Sequence, residues 1–198
     1  MLTVLVSHVK GLTMLSDPFF IEQHWLKRVA RLPSPYWSVR AKSQIDLIVL
    51  HCISLPRGHF SNHYVDELFT GKLAVDAHPD FSDLLGVEVS AHVLVRRSGA
   101  LAQFVPFDRA AWHAGVSQFQ DREQCNDFSI GIELEGTDTD AFTTEQYESL
   151  VVLVRSLQLH YNIPKPHVVA HSDIAPGRKS DPGHGFDWSR FWQLLAEG

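Results

Sequence analysis

The stretch Ile45-Asp-Leu-Ile-Val-Leu-His51 is a short apolar run rich in branched side chains. It predicts a buried strand with Ile45, Leu47, Val49 and His51 on one face and His51 at its end. Phe128–Leu134 (FSIGIEL) alternates, placing Ile130, Ile132 and Leu134 on one face and Ser129, Gly131, Glu133 and Glu135 on the other. Glu133 then shares its face with a glycine, which leaves room beside it. His167–Ala170 predicts a further strand running into His171. His92–Arg97 and Leu101–Val105 flank the turn pair Ser98-Gly99 and predict a hairpin.

Helices alternate with these strands. Thr143-Thr-Glu-Gln146 has the form of a capping box, and Tyr147, Leu150, Val151, Val154, Leu157 and Tyr161 follow at helical spacing until Pro164. Asp187 caps a last helix bearing Trp188, Phe191, Trp192 and Leu195, and His63–Phe69 predicts a short helix ending near Gly71. The fold class is therefore α/β, α+β-like, with a mixed sheet flanked by helices, since the hairpin argues against a purely parallel sheet.

With 198 residues, 44% of them hydrophobic, the chain supports one full core, and no Pro/Gly/Ser-rich stretch divides it. Residues 1–31 read as an N-terminal extension and lead-in, and residues 32–198 as the domain. Residues 1–13 look detached from the rest of the chain, with Met14 an alternative start. A formal charge of −6 gives no basic footprint, which speaks against a nucleic-acid partner. The apolar start is only six residues long and lacks a preceding basic region, so it fails as a secretory signal. No run approaches the length of a membrane span, and Cys52 and Cys125 alone make no disulfide framework. A cytoplasmic protein in a reducing compartment, without a membrane partner, is expected.

His51 and His171 each close an apolar strand, where α/β folds commonly carry functional groups, and Asp181 lies in Lys179-Ser-Asp-Pro-Gly183. Two imidazoles and a carboxylate leave a fourth position open on a zinc ion, the arrangement of a hydrolase. On local spacing alone, Asp181 reads equally as a turn carboxylate. His171-Ser-Asp173 with His184 is a competing ferrous-iron triad, but His184 is very close in sequence. His59 and His63 have the i, i+4 spacing of a helix-borne metal pair without the glutamate of His-Glu-x-x-His, and read as solvated helix residues. Neither a Cys-x-x-Cys pair nor a Gly-x-Ser-x-Gly elbow is present.

Six motifs carry a family resemblance in consistent order from about Leu32 to Trp192. They are His51-Cys-Ile-Ser-Leu-Pro56, Val89-Ser-Ala-His92, Gln103-Phe-Val-Pro-Phe-Asp108, Ala111-Trp-His-Ala-Gly115, Cys125-Asn-Asp-Phe-Ser-Ile-Gly-Ile-Glu-Leu-Glu-Gly136, and His171-Ser-Asp-Ile-Ala-Pro176 with Arg178-Lys-Ser-Asp-Pro-Gly183. Together they resemble the zinc N-acetylmuramoyl-L-alanine amidases, and within them the AmpD group of 1,6-anhydro-N-acetylmuramyl-L-alanine amidases. Peptidoglycan-recognition proteins and phage T7 lysozyme are broader relatives. The resemblance implies a mixed sheet flanked by helices, zinc held by His51, His171 and Asp181, Glu133 acting on the zinc-bound water, and Lys179 assisting at the reacting carbonyl.

By the same resemblance the substrates are muropeptides, cleaved between anhydromuramic acid and L-alanine during cell-wall recycling, with a secondary effect on β-lactamase induction. Trp112 and His113 offer an aromatic face and a polar edge to a sugar or peptide, although Trp112 reads equally as core; Asn126 either orients a loop or binds peptide groups. Two positions depart from the group: Glu88 and Gln124 stand where arginines are expected, and arginines would suit stem-peptide carboxylates. Arg97, Arg122 and Arg178 are the alternatives for that role. The rival readings are an amidase of intact peptidoglycan and a binding module that has lost catalysis. Retention of both histidines and the aspartate speaks against the second.

Overall fold

A computed structural model describes residues 19–40 and 44–197; the expectations about residues 1–13 and Met14 lie outside them. Short strands β1 (Ile21–Glu22), β2 (Trp25–Leu26), β3 (Ala30–Arg31) and β4 (Trp37–Val39) lead into β5 (Leu47–Ile53) and helix α1 (Tyr64–Phe69). Strands β6 (Val93–Val95), β7 (Leu101–Gln103), β8 (Arg109–Ala111), β9 (Gln118–Phe119), β10 (Arg122–Glu123) and β11 (Ser129–Glu135) come next. Helix α2 (Thr144–Tyr161), strand β12 (Val168–Ala170), and helices α3 (His171–Ile174) and α4 (Trp188–Ala196) complete the chain.

The central sheet has six strands in the order β12-β5-β11-β6-β7-β3. β12, β5, β11 and β6 are parallel, β7 returns antiparallel through the predicted hairpin, and β3 pairs parallel with β7. The sheet is mixed, as expected. All seven residues of β11 are buried although the sequence alternates, because both faces are covered. One face carries Ile130, Ile132 and Leu134 against Leu150, Val151, Val154 and Leu157 of α2 and Phe191 of α4. The other carries Leu47 and Val49 against Phe128, Cys125 and Ile174. Each fully buried aliphatic side chain contributes about 1.5–3 kcal/mol relative to exposure.

Several boundaries differ from expectation. His51 does not end its strand, since pairing with β11 carries β5 on to Ile53. Ile45 precedes the strand and packs with the opposite cluster from Leu47 and Val49. His171 opens a four-residue helix rather than a loop. His59 lies outside α1 and His63 at its N-cap, so they do not share a helix face. Described residues before 32 join the core and sheet: Leu26 is fully buried, its backbone N–H donating to Gln103 Oε1 at 2.7 Å, and Ala30–Arg31 pairs in the sheet.

Candidate active site

The parallel register of β5 and β11 sets Glu133 directly opposite His51. Ala170 lies opposite Leu50 on the other side, so His171, one residue on, comes beside His51. Three neighbouring strands thus deliver three side chains to the carboxyl end of the sheet, where open α/β sheets place their ligands. The loop after α3 returns Asp181, tied by the Ser172 N–H donating to the Asp181 carbonyl at 3.1 Å. Gly183 has φ +80°, and a Cβ there would stand 2.1 Å from the Asp138 carbonyl oxygen. Only glycine lets this loop pack against residue 138.

His51, His171 and Asp181 are the single metal-capable group of His, Cys, Asp and Glu side chains among the described residues. His51 Nδ1 lies 2.9 Å from His171 Nδ1 and 3.1 Å from Asp181 Oδ2, and His171 Nδ1 lies 3.0 Å from the same oxygen. Tetrahedral ligands at zinc-nitrogen and zinc-oxygen distances would be roughly 3.3 Å apart. The competing triad does not assemble. The Asp173 carboxylate accepts from the Ala170 N–H at 2.8 Å, and His184 lies outside the group.

The donor set suits a cation. His171 Nε2 faces the Ala114 carbonyl at 3.1 Å, and a carbonyl can only accept, so Nε2 carries the proton and Nδ1 turns a lone pair inward. Burial lowers the pKa of His51 to about 4, keeping the ring neutral. Two imidazoles and a carboxylate, 1%, 3% and 17% exposed, make a three-ligand set of the kind that could hold a zinc ion.

Glu133 is 8% exposed, and its Oε2 has no hydrogen-bond partner. Burial, then the charge of Asp181, raises its pKa well above the usual range, while Lys179 draws it partly back. Glu135 on the same face has a structural use: its oxygens accept from the Ser61 N–H at 2.6 Å and the Arg97 N–H at 2.9 Å. Lys179 is exposed and lines, with Glu133 and the three candidate ligands, a cavity of about 430 Å³.

The space expected beside Gly131 is filled. A Cβ on Gly131 would stand 2.4 Å from Cγ of His113, whose ring lies against the strand there. His113 Nδ1 meets His51 Nε2 at 2.9 Å and its Nε2 meets Ser129 Oγ at 3.1 Å, so the polar edge expected to meet substrate is already engaged. Asn126 orients a loop: its Oδ1 accepts from the His113 and Ala114 N–H groups at 3.2 and 2.8 Å. Trp112 lines the cavity half-buried, its indole N–H donating to Ser38 Oγ at 2.8 Å.

Arg178 donates to the Ala114 and Val116 carbonyls, both at 2.6 Å, on an adjoining cavity that Glu88 also lines. Arg97 donates to the Ala141 carbonyl and stacks over Phe60, and Arg122 pairs with Asp46 at 2.9 Å over Phe128. Of the three alternatives for the missing arginines, Arg178 is the one at these cavities. Arg40, unremarked in the sequence, donates to the Phe107, Asn126 and Ser129 carbonyls at 3.0, 2.8 and 2.7 Å, stitching together the segments beneath the site.

Residues 41–184 match the sequence profile of the N-acetylmuramoyl-L-alanine amidase family Amidase_2. The chain is 51% identical over 178 residues to 1,6-anhydro-N-acetylmuramyl-L-alanine amidase AmpD of Escherichia coli (strain K12), covering 89% of this chain and 97% of that one. The crystal structure of a selenomethionine derivative of AmpD superposes with a TM-score of 0.87 at 48% identity, covering 89% of this chain and 99% of the other. AmiD from E. coli, solved in complex with anhydro-N-acetylmuramic acid-L-Ala-D-γ-Glu-L-Lys, superposes with a TM-score of 0.57 at 30% identity over 78% of this chain and 58% of its own. A family profile covering most of the chain, and a relative half identical along nearly its full length, meet on the sheet that carries this site. The chain belongs to the N-acetylmuramoyl-L-alanine amidase family.

Proposed function

We propose that the protein is a zinc-dependent amidase that hydrolyses the bond between 1,6-anhydro-N-acetylmuramic acid and L-alanine in muropeptides, acting in cytoplasmic peptidoglycan recycling. The observation that carries this reading is the pairing of Glu133 with His51 across β5 and β11, which sets a buried, unpartnered carboxylate beside an inward-facing His-His-Asp group. Identity of 51% to a relative named for this reaction supports the substrate class, as does the anhydromuramyl peptide bound to AmiD.

His51, His171 and Asp181 would hold the zinc, which when bound lowers the pKa of water towards roughly 7 and polarises an amide oxygen. Glu133 takes the proton of the attacking water and passes it to the leaving nitrogen as the carbon–nitrogen bond breaks. Burial raises its proton affinity, which suits a group that must accept a proton and then release it. Lys179, at the mouth of the same cavity, places an ammonium where negative charge develops on the carbonyl oxygen. Trp112 offers an aromatic wall and Arg178 a cation for the substrate's sugar and peptide. Removal of these muropeptides would also damp the induction of β-lactamase.

Free thiols at Cys52 and Cys125 accord with a reducing compartment, and no helix among the described residues is long and apolar enough to cross a membrane. The decisive measurement is metal content together with the mass of products from an anhydromuropeptide and from intact peptidoglycan. Release of the L-alanine-ended peptide from the anhydromuropeptide alone, by protein with one zinc per chain, is the expected result. Preferential cleavage of intact peptidoglycan, with recovery of the native protein in the periplasmic fraction, would replace recycling by wall lysis.

A further inference from the structure

The hydrogen bonds beneath His51 run in one direction. The Ser129 hydroxyl donates to the Cys125 carbonyl at 2.5 Å, which engages its single proton. Ser129 Oγ therefore accepts from His113 Nε2, 3.1 Å away. A neutral imidazole protonated at Nε2 presents a lone pair at Nδ1, and His113 Nδ1 stands 2.9 Å from His51 Nε2. His51 must then carry its proton on Nε2. Its Nδ1 is left as a lone pair facing His171 and Asp181.

His113 has a seat built for it. A Cβ on Gly131 would overlap three atoms of the ring, at 2.4 to 2.6 Å, and His92 meets the ring edge-on at 5.7 Å between centroids. Oδ1 of Asn126 holds the His113 backbone from the other side at 3.2 Å. We propose that His113 is a positioning residue of the metal centre: with Ser129 and the Cys125 carbonyl it holds His51 in the Nε2–H tautomer and in the orientation that presents Nδ1 to zinc. The ring acts on the metal centre through His51, from a half-buried position on the lining of the same cavity. This deepens the zinc reading above and rests on it.

Outer partners of metal-bound histidines are worth 10–100-fold in metal affinity. Zinc dissociation constants of the full chain, measured by chelator competition, test the assignment. His113→Leu, which removes the acceptor, is expected to bind zinc roughly 10–100-fold more weakly. His113→Asn places an amide oxygen where Nδ1 stood and is expected to recover most of the affinity. Gly131→Ala keeps the imidazole but displaces it, and is expected to behave like His113→Leu.

Wild-type affinity in His113→Leu, or His113→Asn as weak as His113→Leu, would overturn the proposal. Long-range proton–nitrogen spectra of the zinc-free wild type read the tautomers directly and do not depend on any variant folding. Protons on Nε2 of both His51 and His113 are expected, and a proton on Nδ1 of His51 would overturn the assignment. Failure of the wild type itself to bind zinc would instead sink the metal reading, while the tautomer measurement would still decide the direction of the hydrogen bonds.

Discussion

Glu133 is a carboxyl group that folding places where it is least comfortable, buried, unpartnered and near the anionic Asp181. Its proton leaves near pH 4.5 in an unfolded chain and well above that in the native one. Between those limits the folded protein holds a proton that the unfolded chain has lost, so Glu133 withdraws stability as pH rises. Glu133→Gln has no proton to lose. The zinc-free variant should exceed wild type in urea stability at neutral pH by about 1–3 kcal/mol, with the gap closing below about pH 4.5. In the zinc-loaded enzyme the same change should cut kcat by roughly 10²–10⁴-fold at unchanged zinc stoichiometry. Equal activity of wild type and variant would dismiss Glu133 as the base. Lys179→Met should lower kcat by roughly 10²–10³-fold while KM moves little, if its ammonium acts on the oxyanion. A rise in KM at constant kcat would make it a binding residue instead.

Helix α2 shows how far a local code reaches. Thr143 Oγ1 accepts from the Gln146 N–H at 3.1 Å, and Gln146 Oε1 accepts in return from the Thr143 N–H at 3.1 Å, the capping box that the Thr-Thr-Glu-Gln spacing predicts. What the spacing does not reveal is the inner side of Gln146. Fully buried, its amide donates to the Val95 carbonyl at 3.2 Å and the Glu135 carbonyl at 3.0 Å, joining the helix start to the ends of β6 and β11. Thr143→Ala should therefore cost about 1–2 kcal/mol as a lost cap. Gln146→Ala should cost roughly 2–4 kcal/mol, because two buried carbonyls are left unpaired besides. Urea unfolding of the two variants checks the order, and equal losses would mean that the strand contacts contribute nothing. The strand boundaries obey the same logic. His51 reads as a strand end from its own segment, but the pairing that carries β5 on to Ile53 comes from Glu135, far along the chain.

Fold and metal centre depend on each other across the chain. His51 comes from β5, His171 from the start of α3 and Asp181 from the loop beyond it, so a cation held by all three clamps the carboxyl end of the sheet. Such an ion binds the native state alone, and at a hundredfold excess over Kd it adds about 2.7 kcal/mol. For a domain of this size that is roughly 5–11 °C in Tm. Chelation should lower Tm by that amount and zinc should restore it, while Asp181→Ala should melt at the chelated temperature with or without zinc. A Tm in Asp181→Ala that still rises with zinc would remove Asp181 from the ligand set.

By itself the sequence determined the class of fold, the capped helix α2, the hairpin and the residue types available for a zinc site. Those features are written in spacings of a few residues, where alternation, capping and turn chemistry act. It named His51, His171, Asp181 and Glu133, although two histidine-ended segments and a turn aspartate held no sign of meeting until the family motifs aligned them. Only the tertiary structure decided that Glu133 faces His51, that Glu135 is occupied by backbone, and that His113 meets His51 through its ring nitrogen. It also gave Asn126 Oδ1 a loop to hold and set Asn126 and Arg178 on the lining of one adjoining cavity. The physical reason is register and direction: which atoms a ring or carboxylate meets is set by partners far along the chain, and no local pattern encodes the lone pair on which a hydrogen bond ends.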